Sequence, residues 1–366
     1  MAKMPRLDRE SIATLRERLL EWYERNRRDL PWRRMPNPYS IWVSEIMLQQ
    51  TRVSAVVEHY RSFLKRFPTM ISLALATEEE VLEEWSGLGY YRRARMLHKA
   101  ALFVAKELDG NLPTAAEELR KLPGVGEYTA AAIASIAHGE AVAVVDGNVE
   151  RVLCRMAGWE LGSRAGGAAL KRQIAALAAQ LVDPLRPGDS NQAIMELGAT
   201  VCLPRNPQCR LCPWFHPCKT RGEHNTLPRP RMLSQEIAHA LSVRMTPTPG
   251  AHGREVLLEQ RASTQSVMPG LWELPALREK HVPEADLRMT VRHAIMQVNY
   301  YVRIRTVFED DVPALTVAGG ERRWVPLTVA GGMALTGLTR KVLHRAHLLP
   351  RAPVELIAAA GEQGEV

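Results

Sequence analysis

The stretch "LPGVGEYTAAAIASIA", Leu122–Ala137, runs a glycine-bearing turn directly into an alanine-rich segment of helical character. Gly124 and Gly126 carry no Cβ, so the backbone can turn tightly there and another chain can come close. A helix beginning just after them offers unpaired amides and the positive end of its dipole to an anion. Two readings fit the pattern equally: a clamp for the phosphates of a DNA backbone, and an ordinary tight turn between packed helices.

Outward from this stretch the sequence stays helical. Ser11 is a candidate cap for a segment in which Ile12, Leu15 and Leu19 recur at helical spacing, and Ser40 for "IWVSEIMLQQTRVSAVVEHYRSFL". The run "QIAALAAQLV" continues the pattern downstream. The stretch "HNTLPRPRMLSQ", residues 224–235, has prolines and polar residues without periodicity and reads as a linker. Beyond it, "IAHALSVRM", "REVLLEQR" and "YYVRIRTVF" read as strands and "TGLTRKVLHRAHLL" as a helix. The expected organisation is an all-α domain over residues 1–223, a linker over 224–235, an α+β domain over 236–350 and a loose tail over 351–366.

At 366 residues the chain exceeds the size at which one core stops growing, in keeping with two domains. A net charge of +8 favours a polyanionic partner. "MAKMPRLDRE" has no apolar run of signal-peptide type and no segment is long and apolar enough to span a bilayer, so a cytoplasmic location is expected. In that compartment clustered cysteines are metal ligands more often than disulfides. Cys202, Cys209, Cys212 and Cys218 are separated by six, two and five residues. Four thiolates in one irregular loop suit a four-iron, four-sulfur cluster better than a single zinc, which two short ligand pairs usually grip. Cys154, among Val152, Leu153 and Met156, reads as a small buried hydrophobe.

Two carboxylates stand out. Ile41 lies four residues before Glu45 and Leu48 three after it, so Glu45 shares a helical face with apolar neighbours. Desolvation there would raise its pKa towards that of a proton donor at neutral pH, whereas a surface glutamate just off the stripe would carry no chemistry. Asp146, in "AVAVVDGNVERVL", ends an apolar run where a new helix begins, the place of an N-cap that can turn its second oxygen to a pocket. The two lie 101 positions apart (146 − 45), and spacing alone does not pair them.

The ordered run "LPW", "SEIMLQQT", "GLGYYRRAR", "LPGVGEYTAAAI", "VDGNVERV", "NQAIMELGATVC" and the cysteine loop closely resembles the MutY adenine DNA glycosylases. These belong to the endonuclease III, or helix-hairpin-helix, superfamily. The resemblance implies two helical lobes with a cleft between them, an iron–sulfur loop on one lobe, and removal of adenine mispaired with 8-oxoguanine or guanine from duplex DNA by a monomer. On that resemblance Glu45 is the general acid, Asp146 stabilises the cationic sugar, and Tyr128 and Asn148 line the site. Gln50 and Tyr90 wedge into the emptied stack, with Thr51 and Leu88 nearby, and Trp32, Arg33 and Gln192 line the adenine pocket. Endonuclease III has a lysine at the position of Tyr128, and a tyrosine forms no Schiff base. A monofunctional glycosylase is therefore expected over a bifunctional glycosylase/lyase, and over a non-catalytic iron–sulfur DNA-binding protein, which would need neither carboxylate.

In the second domain "MPGLWELPAL" resembles the family's Nudix-related C-terminal domain, which reads 8-oxoguanine. It lacks the Glu-rich metal-binding helix of a Nudix enzyme. One departure is clear: where the family usually carries Phe-Ser-His, this chain reads Ile295-Met296-Gln297. Met296 has no hydroxyl to offer 8-oxoguanine, while Gln297 keeps a donor.

Overall fold

The computed structural model describes residues 9–34, 37–160, 167–224, 231–246, 253–265, 267–317 and 319–350. The chain divides into two compact units, Met1–Glu84 with Arg92–Arg229, and Trp85–Tyr91 with Pro230–Val366. The grouping of Trp85–Tyr91 with the second unit has no signature in the sequence. The expected tail lies outside the described residues, as do residues 225–230 of the expected linker.

The first unit is helical among its described residues. Its helices are α1 (Arg9–Asn26), α2 (Pro31–Arg34), α3 (Pro38–Leu48), α4 (Val53–Arg66), α5 (Met70–Leu75), α6 (Glu78–Glu84), α7 (Arg92–Glu107), α8 (Ala116–Leu119), α9 (Glu127–His138), α10 (Gly147–Ala157), α11 (Gly167–Leu181) and α12 (Pro187–Thr200). Leu15, Leu19 and Tyr23 of α1, Val149, Val152 and Leu153 of α10, Leu177 and Leu181 of α11, and Ile194 and Leu197 of α12 form one core. The cysteine loop joins it through Trp214, whose indole N–H donates to the Leu15 carbonyl at 3.0 Å. Cys154 sits in the same core, its thiol pushed up to about 12 by burial and then by Glu150, as befits an inert packing residue.

Two helix starts differ from expectation. Ser11 lies inside the first described turn of α1, which already includes Arg9. Ser40 is the third helical residue and closes a capping box rather than being the cap. Asn37 caps α3, accepting from the Ser40 amide at 2.8 Å, because asparagine caps as well as serine does and Pro38 suits the first helical position. The long helix expected from Ile41 onward is two helices, α3 and α4, separated by a turn at Gln49–Arg52.

The second unit contains β1 (Leu233–Leu241), β2 (Val243–Met245), β3 (Arg254–Gln260), β4 (Trp272–Glu273), β5 (Leu287–Ile295), β6 (Val298–Thr306), α13 (Val312–Leu315), β7 (Arg322–Pro326), α14 (Leu327–Ala330) and α15 (Gly337–Arg345). β1 begins inside the stretch read as linker. One sheet has the order β1-β6-β5, with β1 parallel and β5 antiparallel to β6. In the other, β3 pairs antiparallel with β2, β4 and β7. Val256, Leu258, Trp272, Val291, Val302 and Ile304 meet Leu338, Val342 and Leu343 of α15 in a single core. β5 and β6 are joined by a two-residue turn, Met296–Gln297, with Met296 at φ 54° and Ile295 opposite Val298. A two-residue hairpin requires positive φ, and the strand twist imposes it on a methionine here.

Candidate active site

α3 is buried along Tyr39–Met47, and Glu45, only 5% exposed, is carried in with the rest of that helix. α9 supplies Tyr128 in its first turn, and the Tyr128 hydroxyl donates to Glu45 Oε2 at 2.6 Å. Burial above all pushes the Glu45 carboxyl up to about 7; the negative charge of Asp146 adds to the rise, while the Tyr128 hydrogen bond and the Arg33 guanidinium oppose it. Tyr128 is itself held well above the usual phenol range, by burial and then by Glu45. The fold thus brings Glu45, Asp146, Tyr128 and Arg33 into one electrostatic neighbourhood, which spacing could not establish.

Asp146 caps α10, Oδ1 accepting from the Val149 amide at 2.7 Å and Oδ2 from the Asn148 side chain at 3.0 Å. Asn148 is held in turn by Arg151, which donates to Asn148 Oδ1 at 2.9 Å, to the Gly198 carbonyl at 2.8 Å and to the Cys202 carbonyl at 2.9 Å. Asn191, 2% exposed, fixes the strand-like approach to Asp146: it accepts from the Val144 amide at 2.9 Å and donates to the Val142 carbonyl at 2.8 Å and to Ser135 at 2.9 Å.

Trp32 is buried edge-on against Tyr60, ring centroids 5.4 Å apart. Arg33 donates to Gln192 Oε1 at 3.2 Å and to Glu196 Oε2 at 2.9 Å, and Arg28 forks onto Glu196 at 2.7 and 2.9 Å. Glu196 is 1% exposed. Burial alone would raise its carboxyl, but the hydrogen bonds from Arg28 and Arg33 outweigh this and hold it at about 2. Sequence reasoning missed Glu196. The signal was present, because Glu196 follows Gln192 by four residues and shares its helical face.

At the glycine turn, Gly124 has φ 74°, and a Cβ there would lie 2.4 Å from the Met96 Cβ. Gly126 caps α9 without a side-chain hydrogen bond. Gln50, Tyr90 and Met296 are exposed, and all three hold left-handed backbone, at φ 57°, 47° and 54°. That conformation costs a non-glycine residue on the order of 1 kcal/mol and is found disproportionately at functional sites. Thr51 is half-buried, Leu88 is buried, and Gln297 is exposed while its carbonyl accepts from the Leu233 amide at 2.9 Å.

Cys202, Cys209, Cys212 and Cys218 line one cavity of about 30 Å³, walled by Val152, Leu197 and Trp214. Among the described residues no group of three or more His, Cys, Asp or Glu side chains is placed to hold a metal ion. Arg155, 3% exposed, brings a buried positive charge to them, donating to Cys202 Sγ at 3.4 Å and to the Leu203 carbonyl at 2.6 Å. It is the donor chemistry, four thiols with a buried guanidinium beside them, that suits an anionic iron–sulfur cluster.

Residues 43–166 match the model of the HhH-GPD superfamily of base excision DNA repair proteins. The chain is 34% identical over 405 residues to the mouse protein named adenine DNA glycosylase, covering 92% of this chain and 78% of that one. It is 40% identical over 322 residues to the human protein of the same name, covering 74% of this chain and 58% of the human chain. The structure of a thermostable thymine-DNA glycosylase superposes with a TM-score of 0.51 at 27% identity, over 58% of this chain and 97% of that one. Among the described residues no helix is long and apolar enough to cross a membrane.

Proposed function

The chain belongs to the adenine DNA glycosylase family, and from that membership and the site geometry we infer that it removes adenine mispaired with 8-oxoguanine or guanine from duplex DNA. The observation that carries this reading is the buried Glu45, hydrogen-bonded to Tyr128 and raised to about 7 partly by Asp146. An N-glycosidic bond needs a proton on its poor leaving group and an anion near the cation that develops on the sugar. Protonated Glu45 donates to the adenine, the bond's electron pair leaves with the base, and the Asp146 carboxylate faces the oxocarbenium-like sugar. Water then attacks the sugar and gives a proton back to Glu45. Asn148 and Arg151 hold Asp146 in place; Tyr128 orients Glu45.

A stacked base is out of reach, so the adenine is first flipped out, at a cost of a few kcal/mol. By the family resemblance the exposed Gln50 and Tyr90 are the residues that enter the gap, Gln50 next in the chain to Thr51 and Tyr90 close to Leu88 in sequence, and the amides after Gly124 and Gly126 hold a phosphate. Trp32, Arg33 and Gln192 receive the base, with Glu196 fixing Arg33. The test is base release from duplexes with adenine opposite 8-oxoguanine, guanine or thymine, with and without alkali. Adenine release opposite the first two, with strand scission only after alkali, is the expected result. Scission without alkali would favour the bifunctional lyase, and no release at all would favour the non-catalytic alternative.

For the cysteine cavity we propose a four-iron, four-sulfur cluster bound by Cys202, Cys209, Cys212 and Cys218. When bound, such a cluster supplies a structural cross-link of four thiolate bonds. Purified protein should be yellow-brown with about four iron and four sulfide per chain. Stoichiometric zinc from iron-replete cells would overturn the assignment. Because Arg151 ties the Cys202 carbonyl to Asn148, Cys202→Ser should weaken folding and base release together.

The hairpin tip predicts selectivity. Met296 stands exposed at the turn without a hydroxyl, and one good polar contact contributes roughly 1–3 kcal/mol of discrimination. Met296→Ser with Gln297→His should raise the preference for adenine opposite 8-oxoguanine over guanine by about tenfold. An unchanged ratio would move the reading of the partner base away from this hairpin to Gln50, Thr51, Leu88 and Tyr90.

A further inference from the structure

We propose that Arg93 is the positioning residue for the turn that carries Gln50, an inference that rests on the reading of Gln50 as the residue that enters the base stack. A helix leaves its last carbonyls without intrahelical partners and with the negative end of its dipole. At the end of α3 one side chain from a different helix takes most of them. Arg93, in the first turn of α7, donates from Nη1 to the carbonyls of Ile46 at 2.7 Å, Met47 at 3.0 Å and Gln49 at 2.5 Å, and from Nη2 to Thr51 Oγ1 at 3.1 Å. The Leu48 carbonyl is taken from within the turn, by the Thr51 amide at 3.3 Å.

Gln50 therefore sits between two residues that the same guanidinium holds, Gln49 by its carbonyl and Thr51 by its hydroxyl. This explains how an exposed, non-glycine residue is kept at φ 57°. Released from Arg93, the turn would relax towards commoner backbone regions, and Gln50 would have to be ordered again at each encounter with DNA. A planar fork can serve the carbonyls and the hydroxyl together, whereas a lysine ammonium is a single point. The same contacts lie one residue beyond Glu45 on α3, so the test must separate an effect through Gln50 from one through Glu45.

The experiment is a double-mutant cycle on the full chain, measuring single-turnover adenine release opposite 8-oxoguanine for wild type, Gln50→Ala, Arg93→Lys and the double variant, each across pH. Arg93→Lys should slow release about tenfold in the wild-type background and by less than about twofold once Gln50 is alanine, the non-additivity expected when one residue acts through another. The pH midpoint near 7, set by Glu45, should stay where it is. Rate losses that multiply, a wild-type rate for Arg93→Lys, or a displaced midpoint would each overturn the proposal. A wild-type rate for Gln50→Ala would instead bring down the underlying reading of Gln50, and the proposal with it. Should Arg93→Lys not fold, Thr51→Val, which removes the Nη2 contact together with the Thr51 hydroxyl's own bond to the Gln49 carbonyl at 3.3 Å, replaces it in the cycle under the same criteria.

Discussion

Glu45→Gln is expected to lower single-turnover adenine release by about 10²–10⁴-fold while leaving affinity for the mispair nearly intact, the range that a positioned general acid contributes. The amide keeps the shape and can still accept from Tyr128, but it has no carboxyl proton to give. The same substitution should make the protein more stable. The Glu45 carboxyl titrates at about 7 in the folded chain against 4.5 for an unperturbed one. Between those values the folded state retains a proton that the unfolded state has released, so stability falls as pH rises through the window. A shift of this size corresponds to roughly 3 kcal/mol above pH 7, which a neutral isostere recovers. Thermal melts should show Glu45→Gln more stable than wild type above pH 7 and little different near 4.5. A variant that is inactive and also less stable at all pH values would mean that Glu45 is a structural group.

The second large effect is at Asp146, where chemistry and helix capping can be separated. Asp146→Asn keeps a cap for α10, since asparagine accepts from the Val149 amide as well as aspartate does. It removes the negative charge beside the sugar. Release should fall on the order of 10²–10³-fold, as it does when one element of transition-state electrostatic stabilisation is lost, with a small drop in melting temperature from the Asn148 hydrogen bond that an amide nitrogen does not accept. Asp146→Ala should be as inactive and also lose about 1 kcal/mol of stability through the missing cap. If Asp146→Asn turned over like wild type, the residue would be a helix cap and nothing more.

The parts of this site legible in the sequence were those whose cause is local. The apolar neighbours of Glu45 on its own helix offered burial as one of two readings, the other being a surface glutamate, and the Asp-Gly-Asn break foretold that Asp146 caps α10. The parts that were not legible depend on residues far along the chain. Periodicity carries smoothly from Ile41 to Leu64, yet the helix stops at Leu48, where Arg93 takes the carbonyls and Gln50 turns left-handed. The spacing from Gln192 put Glu196 on the right helical face, but its two arginine partners lie more than 160 positions away and had no mark in the sequence. The left-handed backbone at Tyr90 and Met296 had no glycine or asparagine to announce it, and the tertiary structure imposes it. The same holds for Trp85–Tyr91, whose grouping with the second unit follows from contacts such as the Tyr91 hydroxyl on the Leu335 carbonyl at 3.1 Å, 244 positions away.

The central claim is that buried Glu45 is a proton donor poised near neutral pH, and the pH dependence of single-turnover adenine release tests it most directly. A rate that declines as pH rises through about 7 in wild type, with that dependence abolished in Glu45→Gln, is the predicted result. A wild-type profile that stays flat through that range, or a decline that persists unchanged in Glu45→Gln, would contradict it.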